Sequence, residues 1–192
     1  MVAALELFSE GGARSVTHRS VAAQAGVPAA TVGYYFGSID ELMYRAFEEN
    51  FARWIADMGT YVAPGESEHT FDELLSFLGL SSNDDELRLN IRMTRLFLSA
   101  SDDERLRPLV AEAVLAIEGA IETLLRRAGL PHARETARAI AAMVGGCAMR
   151  IAARRDRAED ENALMRRAIH QLVAASMLPP EMVDEKIRAL GL

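Results

Sequence analysis

The side chains best suited to contact a nucleic acid lie on one short predicted helix, over residues 28–36. Thr31, Tyr34 and Tyr35 place hydroxyl groups and flat aromatic rings on the outer face of this helix. Hydroxyl groups donate hydrogen bonds to phosphate oxygens and to the edges of bases, and such bonds hold and read a duplex. The helix therefore has the chemistry of a recognition surface.

A second short helix and a tight turn are predicted directly before this surface. Thr17 can cap the first free backbone N–H groups of a helix-compatible run. The turn covers residues 25–27, where Gly26 can adopt the positive φ that a sharp corner between helices needs. Pro28, whose φ is fixed near the helical value, suits the first turn of the helix that follows. The apolar residues of the first helix are Val21, Ala22 and Ala25.

The recognition helix is expected to pack through an apolar inner face. Val32 and Phe36 are one helical turn apart and should face inward together with Val27. Ser38 and Glu41 have the spacing of a capping box, in which each side chain bonds the backbone N–H of the other. A long third helix should therefore begin there, and the whole order is that of a helix-turn-helix.

The segment from Phe8 to Leu42 resembles the DNA-binding domain of the TetR/AcrR family of one-component transcriptional repressors. It reads FxxxGxxxxTxRxVAxxAGVxxxTVxYYFxSxxEL, in register with the family pattern and without a gap. The chain departs from that pattern at Gly33, Tyr35 and Ile39, where the family usually has Tyr, His and Lys. In that family the first helix normally has a further turn and a basic arm before it, so either such an arm precedes Met1 or the first helix starts short.

The resemblance implies that this segment binds operator DNA. The predicted DNA-binding residues are Thr17, Arg19, Pro28, Ala29, Thr31, Tyr34 and Tyr35. Residues 1–45 carry three arginines against four carboxylates, a net charge of −1, which is low for a protein that neutralises phosphates. The alternative is a helical hairpin with no DNA role, but such a hairpin does not need these caps and turn residues.

Composition narrows the class of protein. A chain of 192 residues that is half hydrophobic can bury a core and form one or two domains. A net charge of −7 argues against a protein that coats nucleic acid nonspecifically. The single Cys147 cannot form an internal disulfide and suits a reducing cytoplasm. The sequence has neither a membrane-spanning stretch nor a signal peptide, so a cytoplasmic location is expected.

The rest of the chain is predicted to be helical, with no alternating β pattern and no repeat. Helices should begin near residues 39, 70, 83, 101, 131 and 160, with a short final helix after residue 180. The fold class is therefore all-α. The resemblance implies that residues 1–47 form an N-terminal three-helix DNA-binding domain with a helix-turn-helix, and that residues 48–192 form a C-terminal helical domain for ligand binding and dimerisation.

One predicted helix, near residues 135–152, has unusually small side chains and permits close approach of another helix. Its small residues are Ala139, Ala142, Gly145, Gly146, Ala148 and Ala152. The resemblance implies that the last two long helices form a four-helix interface between two copies. The predicted dimer-interface residues are Ala142, Gly145, Gly146, Ile169, Leu172 and Val173. The alternative is a contact within one chain and no dimer.

Bulky and soft side chains between the fourth and eighth helices could line an adaptable apolar cavity. The predicted ligand-binding residues are Trp54, Met58, Met93, Phe97, Met143, Cys147 and Arg150. Arg150 or Arg95 could meet an anionic group, although Arg95 belongs to a helical face expected to be solvated. Each apolar member taken alone is better explained as core than as a ligand contact, and Cys147 is better explained as a buried, inert thiol than as a redox sensor. The four histidines show no metal-site spacing, so neither a metal nor another cofactor is expected.

Three classes of function follow. The first is a homodimeric repressor that binds operator double-stranded DNA and is released by an unknown apolar or amphipathic effector. The second is a helical enzyme or lipid carrier, but the sequence has no Ser/His/Asp set, phosphate-binding loop or acid/base pair. The third is a ligand-binding or partner-binding protein of the same fold with weak or lost DNA binding. It is favoured by the net negative charge of residues 1–45 and by Gly33 and Ile39.

Overall fold

The computed structural model describes residues 1–62, 70–77, 84–153 and 158–191. These ranges contain helices and no strand, which confirms the all-α prediction. A short 3₁₀ turn covers Ala13–Ser15. The α-helices in the described ranges are α1 Val2–Gly11, α2 His18–Ala25, α3 Ala29–Tyr35, α4 Ile39–Val62, α5 Phe71–Phe77, α6 Asp84–Ser101, α7 Arg107–Arg127, α8 Ala133–Ala153, α9 Ala158–Ala175 and α10 Pro180–Ala189.

The chain forms two compact units. The first, here called the head unit, consists of Met1–Ala56 and Arg92–Ala113. The second, here called the tail unit, consists of Asp57–Ile91 and Val114–Leu192. The head unit therefore contains α1 to α3, most of α4 and the later turns of α6.

Two apolar clusters hold the head unit together. In the first, the buried Ala4, Val16, Val21, Val32 and Leu42 pack α1, α2 and α3 against the start of α4. The second cluster packs the middle of α4 with α1, α6 and the start of α7. Its buried residues are Leu5, Ala46, Phe47, Phe51, Leu96, Ala100, Leu106 and Ala113. Burial of this apolar surface is what fixes the short helices in place, since helices of seven to ten residues are marginal alone.

The core of the tail unit lies mainly between α8 and α9 and against α5 and α7. Its fully buried side chains include Leu74, Leu75, Ile121, Ile140, Cys147, Ile151 and Ile169. Near the start of α8, the Thr136 hydroxyl donates a hydrogen bond of 3.1 Å to the Ser176 hydroxyl, which lies just after the end of α9. The α8 and α9 helices are thus fixed by contacts between residues that are far apart in sequence.

Several predicted helix starts are confirmed. Thr70 and Glu73 form a complete capping box, with bonds of 2.7 Å from the Thr70 N–H and 3.1 Å from the Glu73 N–H. The fourth helix runs on to Val62, beyond its predicted end at residue 59. Predictions that concern residues 63–69, 78–83 and 154–157 lie outside the described residues.

The predicted start of α7 is corrected. Residues 101–104 end α6 and form a turn, and α7 begins only at Arg107 with Pro108 in its first turn. Proline has no N–H to donate and is therefore accommodated at the start of a helix. Val114 is exposed and does not belong to the buried stripe of α7, whereas Ile121 and Leu124 do.

Candidate nucleic-acid interface and effector region

A capping box built from two hydroxyl side chains begins α2. The Thr17 oxygen accepts a bond of 3.0 Å from the Ser20 N–H, and the Ser20 oxygen accepts one of 2.9 Å from the Thr17 N–H. The backbone N–H groups of Thr17 and Ser20, which have no partner within the helix, are therefore satisfied. The sequence prediction identified the Thr17 cap and missed Ser20 as its partner, although the Thr-x-x-Ser spacing was visible.

The turn between α2 and α3 depends on a left-handed glycine. Gly26 has φ 67° and ψ 30°, and the following Val27 N–H donates to the Ala22 carbonyl at 3.0 Å. This confirms the predicted positive φ. Pro28 is extended, with ψ 141°, and stands just before α3 instead of in its first turn. The reversal of chain direction is thus complete before the recognition helix begins.

The outer face of α3 carries the two most exposed aromatic side chains that the structure describes. Tyr34 is 84% exposed and Tyr35 is 70% exposed, with their rings edge to face at 5.3 Å between centroids. Thr31 is half-buried, and Pro28 and Ala29 are exposed. Large exposed rings on a monomer surface indicate a site of interaction.

Gly33 lies beside the tyrosines on an open surface. A Cβ added there would meet no atom of the described chain within 4 Å. The departure from the family pattern at this position therefore leaves room on α3 and is not forced by packing.

The inner face of α3 is as predicted in two of three positions. Val32 is buried and Phe36 packs against the same cluster. Val27, however, is 38% exposed, and Ala25 is exposed as well. Val27 follows the left-handed Gly26 and lies outside both helices, so the helical periodicity that placed it inside does not apply, whereas Ala25 is the exposed last residue of α2.

The start of α4 follows the recognition helix directly. Ser38 caps it by accepting a bond of 3.1 Å from the Glu41 N–H. The Glu41 carboxylate accepts from the Gly37 N–H at 3.3 Å, one residue earlier than the predicted partner Ser38. α3 thus lies between α2 and α4, and both of these helices have capped N-terminal ends.

Few cations surround this surface. Arg19 is exposed, and Arg45 lies 3.9 Å from the Glu41 carboxylate. His18 is half-buried, and its Nε2 has no hydrogen-bond partner within the described chain. The predicted DNA-binding residues lie on α3 and on the start of α2, together with Pro28 between them.

The predicted effector residues are divided between the two units. Trp54, Met93 and Phe97 belong to the head unit, where the Trp54 and Phe97 rings meet edge to face at 5.3 Å. Phe51 meets the same Phe97 ring at 4.9 Å. These rings form an aromatic wall where α4 packs on α6. Arg95 is not on a solvated face, because its guanidinium donates to the Ser9 carbonyl of α1.

The other predicted effector residues lie in the tail unit. Met58 is buried and Met143 is half-buried. The Arg150 guanidinium makes two bonds, of 2.7 Å and 3.0 Å, to the nearly buried Glu161 carboxylate. Arg150 therefore already has an anionic partner within the chain, and sequence spacing gave no sign of Glu161.

Cys147 is fully buried between α8 and α9. Its thiol donates weakly toward the Glu161 carbonyl at 3.8 Å and the Asn162 side-chain oxygen at 3.7 Å. Burial, and secondarily the charge of Glu161, raises the pKa of the Cys147 thiol to about 11. The thiol is therefore protonated at neutral pH and chemically quiet.

The small residues of α8 divide between two faces. Ala139, Ala142, Gly145 and Gly146 are exposed, and a Cβ added at either glycine would meet nothing in the described chain within 4 Å. Ala148, by contrast, is buried and packs inward. The exposed small residues, here called the α8 small-residue face, remain open to another helix.

The predicted interface residues on α9 need a correction. Ile169 is 0% exposed within one chain, so it belongs to the core of the tail unit and is not available to a partner. Leu172 and Val173 are half-buried. An apolar stripe in sequence does not distinguish a helix face that meets its own chain from one that meets a partner.

No helix in the described ranges combines the length and the apolar character needed to cross a membrane. Within the same ranges, no three His, Cys, Asp or Glu side chains are grouped so that they could hold a metal ion.

Solved structures share this fold. A transcriptional regulator from Rhodococcus sp. Rha1 matches with a TM-score of 0.70 at 20% identity, over 93% of this chain and 96% of that one. The multidrug binding protein EbrR, complexed with malachite green, matches with a TM-score of 0.58 at 28% identity, over 89% and 94%. The regulator FadR from Bacillus subtilis, in complex with stearoyl-CoA, matches with a TM-score of 0.60 at 19% identity, over 93% and 97%.

No curated protein sequence matches the chain significantly. Two family profiles do match, and together they cover most of it. The profile of bacterial regulatory proteins of the tetR family matches residues 1–46, and that of the tetracyclin repressor-like C-terminal domain matches residues 65–175. The first contains the whole helix-turn-helix described above. The chain therefore belongs to the TetR family and is a DNA-binding transcriptional regulator.

Proposed function

We propose that the chain is a homodimeric repressor that holds operator DNA through α3 and leaves it when a small molecule binds. The observation that carries the proposal is the pair of exposed tyrosines on a helix fixed by two capped neighbours. TetR-family regulators are generally non-enzymatic transcription factors. We place the DNA-reading domain at residues 1–47, the effector and dimerisation domain at residues 48–192, and the protein in the cytoplasm.

The proposed reading surface combines three kinds of contact. Tyr34, Tyr35 and Thr31 of α3 would face base edges and sugars, and Pro28 and Ala29 would let the backbone approach the duplex closely. Thr17 and Arg19 at the start of α2 would face phosphates. Because cations are few here, phosphate contacts should contribute less to the affinity for DNA than in a strongly basic DNA-binding protein.

The proposed dimer uses the α8 small-residue face together with exposed parts of α9. Two copies would present two α3 helices about 34–36 Å apart, or moderately more, to successive major grooves of a near-palindromic site. The exposure of Ala142, Gly145 and Gly146 within one chain supports this arrangement.

The proposed effector is an apolar or amphipathic small molecule. Support comes from relatives that bind such molecules, since EbrR is complexed with malachite green and FadR with stearoyl-CoA. In this chain the aromatic wall of Trp54 and Phe97, together with Met93, offers suitable lining in the head unit. Met58 and Met143 are candidates in the tail unit, whereas Cys147 and Arg150 already have partners within the chain.

We propose that α4 couples effector to DNA. This helix begins just after Phe36 and Gly37 and contains both Trp54 and Met58. An effector need only favour a distance between the two α3 helices of the dimer that does not match the spacing of successive major grooves in DNA. A differential of a few kcal/mol between the two spacings changes operator occupancy greatly.

The test is a footprint of the purified protein on the DNA upstream of its own gene. We expect protection of a near-palindromic site and its loss on addition of an effector found by thermal-shift screening. The Trp54→Leu variant should bind the operator normally and respond differently to that effector. If Trp54→Leu keeps normal ligand affinity and normal release, the effector binds elsewhere, and Met143 becomes the next position to vary.

A second candidate is a partner-binding protein of the same fold that has lost DNA affinity. It is favoured by the net charge of −1 over residues 1–45 and by Gly33 and Ile39 in place of the usual family residues. Absence of any footprint, combined with intact effector binding, would support it over the repressor.

A further inference from the structure

A pocket of about 330 Å³ lies within the head unit, and none of its lining residues belongs to the aromatic wall of Phe51, Trp54 and Phe97. It is lined by α1, by the first two turns of α4 and by the corner between α6 and α7. Its volume falls at the lower end of the range of small-molecule sites, ~300–1,000 Å³. The pocket can therefore hold a compact ligand of a few fused rings.

One side of the pocket is aromatic. Phe8 and Phe47 meet edge to face at 5.4 Å, and Tyr44 and Met43 continue the surface along α4. Aromatic faces carry negative electrostatic potential and attract cations placed above them.

The same lining also carries acidic groups. Asp40, Asp102 and Asp103 line the pocket against a single cation, Arg105, which leaves a local charge of −2. Arg105 forms an ion pair with Asp103 at 2.6 Å, and the charge of Asp40 also acts on Arg105 from beyond ion-pair distance, whereas Asp102 has no ion pair with the described residues. Hydrogen bonds from Arg105 lower the pKa of Asp103 to about 2, so that carboxylate is ionised at neutral pH.

The chain itself places a cation in this site. The Arg105 guanidinium lies over the Tyr44 ring, 4.9 Å from its centroid, while bonding Asp103 through two nitrogens. The Arg105 side chain is 59% exposed, so it can leave the ring at modest cost. A planar, delocalised cation over an aromatic ring, flanked by carboxylates, is thus the arrangement that this pocket already stabilises.

We propose that this pocket binds a flat organic cation, which takes the place of Arg105 over Tyr44 and pairs with Asp40 and Asp102. The occupant would contact the first turns of α4, directly after the recognition helix. The site shares no lining residue with the effector region proposed above, although its Phe47 ring stacks on Phe51 at 6.3 Å, and the proposal does not depend on that region.

The experiment is a fluorescence titration of the full-length protein with proflavin, a planar aromatic cation, in the absence of DNA. Asp102→Asn should weaken binding by about threefold to fivefold, since one carboxylate is lost. Arg105→Ala should tighten binding by roughly twofold to fivefold, because it removes the internal competitor for the Tyr44 ring. The opposite signs of the two effects are the signature of this site.

Two controls make the result decisive. Asp184→Asn, at an exposed carboxylate of α10, changes the net charge equally and should leave proflavin affinity unchanged. Acridine, which has the same ring system and is uncharged at pH 8, should be insensitive to Asp102→Asn. Equal affinities of the Asp102→Asn and Asp184→Asn variants, or an Arg105→Ala variant that fails to bind more tightly, would overturn the proposal. Because no operator is involved, neither result bears on the repressor function.

Discussion

The helix-turn-helix of the head unit and the α8 and α9 pair of the tail unit differ in the range of their interactions. The helix starts and the turn of the first are defined by bonds between near neighbours, such as Thr17 with Ser20 and Val27 with Ala22, although apolar packing holds its helices together. The second relies on contacts between distant residues, among them Cys147 with Asn162. Local bonds leave a mark on sequence spacing, and distant ones do not. The caps and the turn of the helix-turn-helix are therefore visible in the sequence, while the contacts that hold α8 against α9 are not.

The surfaces of the two regions differ as well. α3 exposes phenol rings, which combine polar tips with flat apolar faces. The outer side of α8 exposes Ala142, Gly145 and Gly146, with Met149 at its edge. The former suits a duplex with its grooves and phosphates, and the latter suits another close-packed helix. Four changes test this contrast.

The largest effect is expected from charge on the α8 small-residue face. Ala142→Glu or Gly146→Glu should give monomers in sedimentation, because a carboxylate would be buried between helices without a partner. Because a monomer presents only one α3 helix to the operator, its binding should be weaker on the order of 100-fold or more. Both positions are exposed in one chain, so the monomer should stay folded. Ala111→Glu, at an exposed alanine of α7, is the control, and a dimeric Gly146→Glu protein would show that the interface lies elsewhere.

A smaller loss is expected from Tyr35→Ala. If the ring or hydroxyl meets a base or a phosphate, operator affinity should fall by roughly 1–3 kcal/mol. The thermal midpoint should hardly change because the side chain is exposed. Tyr35→Phe separates the two contributions, since it keeps the ring and removes the hydroxyl. Unchanged affinity of the alanine variant throughout a salt titration would remove Tyr35 from the DNA surface.

Thr17→Ala should cost about 1 kcal/mol of stability through its lost cap, and should weaken operator binding in addition. Thr70→Ala is a matched control, because Thr70 caps α5 through the same pair of bonds. The two variants should be destabilised similarly in urea, and only the first should bind DNA less well. Equal operator affinities would mean that Thr17 is purely a cap.

The smallest effect concerns a single phosphate contact. Arg19→Gln should lower the slope of log affinity against log salt by about 0.9. Arg53→Gln removes an exposed arginine of α4 that pairs with Glu49 at 2.8 Å, and its slope should match that of the unmodified protein. A normal slope for Arg19→Gln would exclude a phosphate contact at that position.

The sequence predicted those parts of the fold that depend on local hydrogen bonds. The caps at Thr17, Ser38 and Thr70 and the left-handed Gly26 are all present. Helix boundaries were less accurate where a turn and a proline meet, as at Pro108.

Tertiary contacts could not be predicted from the sequence, because they join residues that are far apart in it. Arg95 reaches a carbonyl 86 residues away, and Arg150 is held by Glu161. No periodicity within α6 or α8 could reveal those partners. Ile169 shows the related difficulty that an apolar residue has the same sequence signature in a core and in an interface. The local geometry around the candidate DNA surface could therefore be predicted from the sequence, whereas the side-chain partners in the candidate effector region could not.

The burial of Cys147 makes the protein convenient for spectroscopic labelling. A single thiol that is fully enclosed and protonated at neutral pH reacts slowly with maleimides and methanethiosulfonates. A cysteine introduced at an exposed position of α2, such as Ala23→Cys, could then be tagged selectively in the otherwise unmodified chain. In a dimer, two nitroxides at that position would report the distance between the reading heads directly, with and without effector.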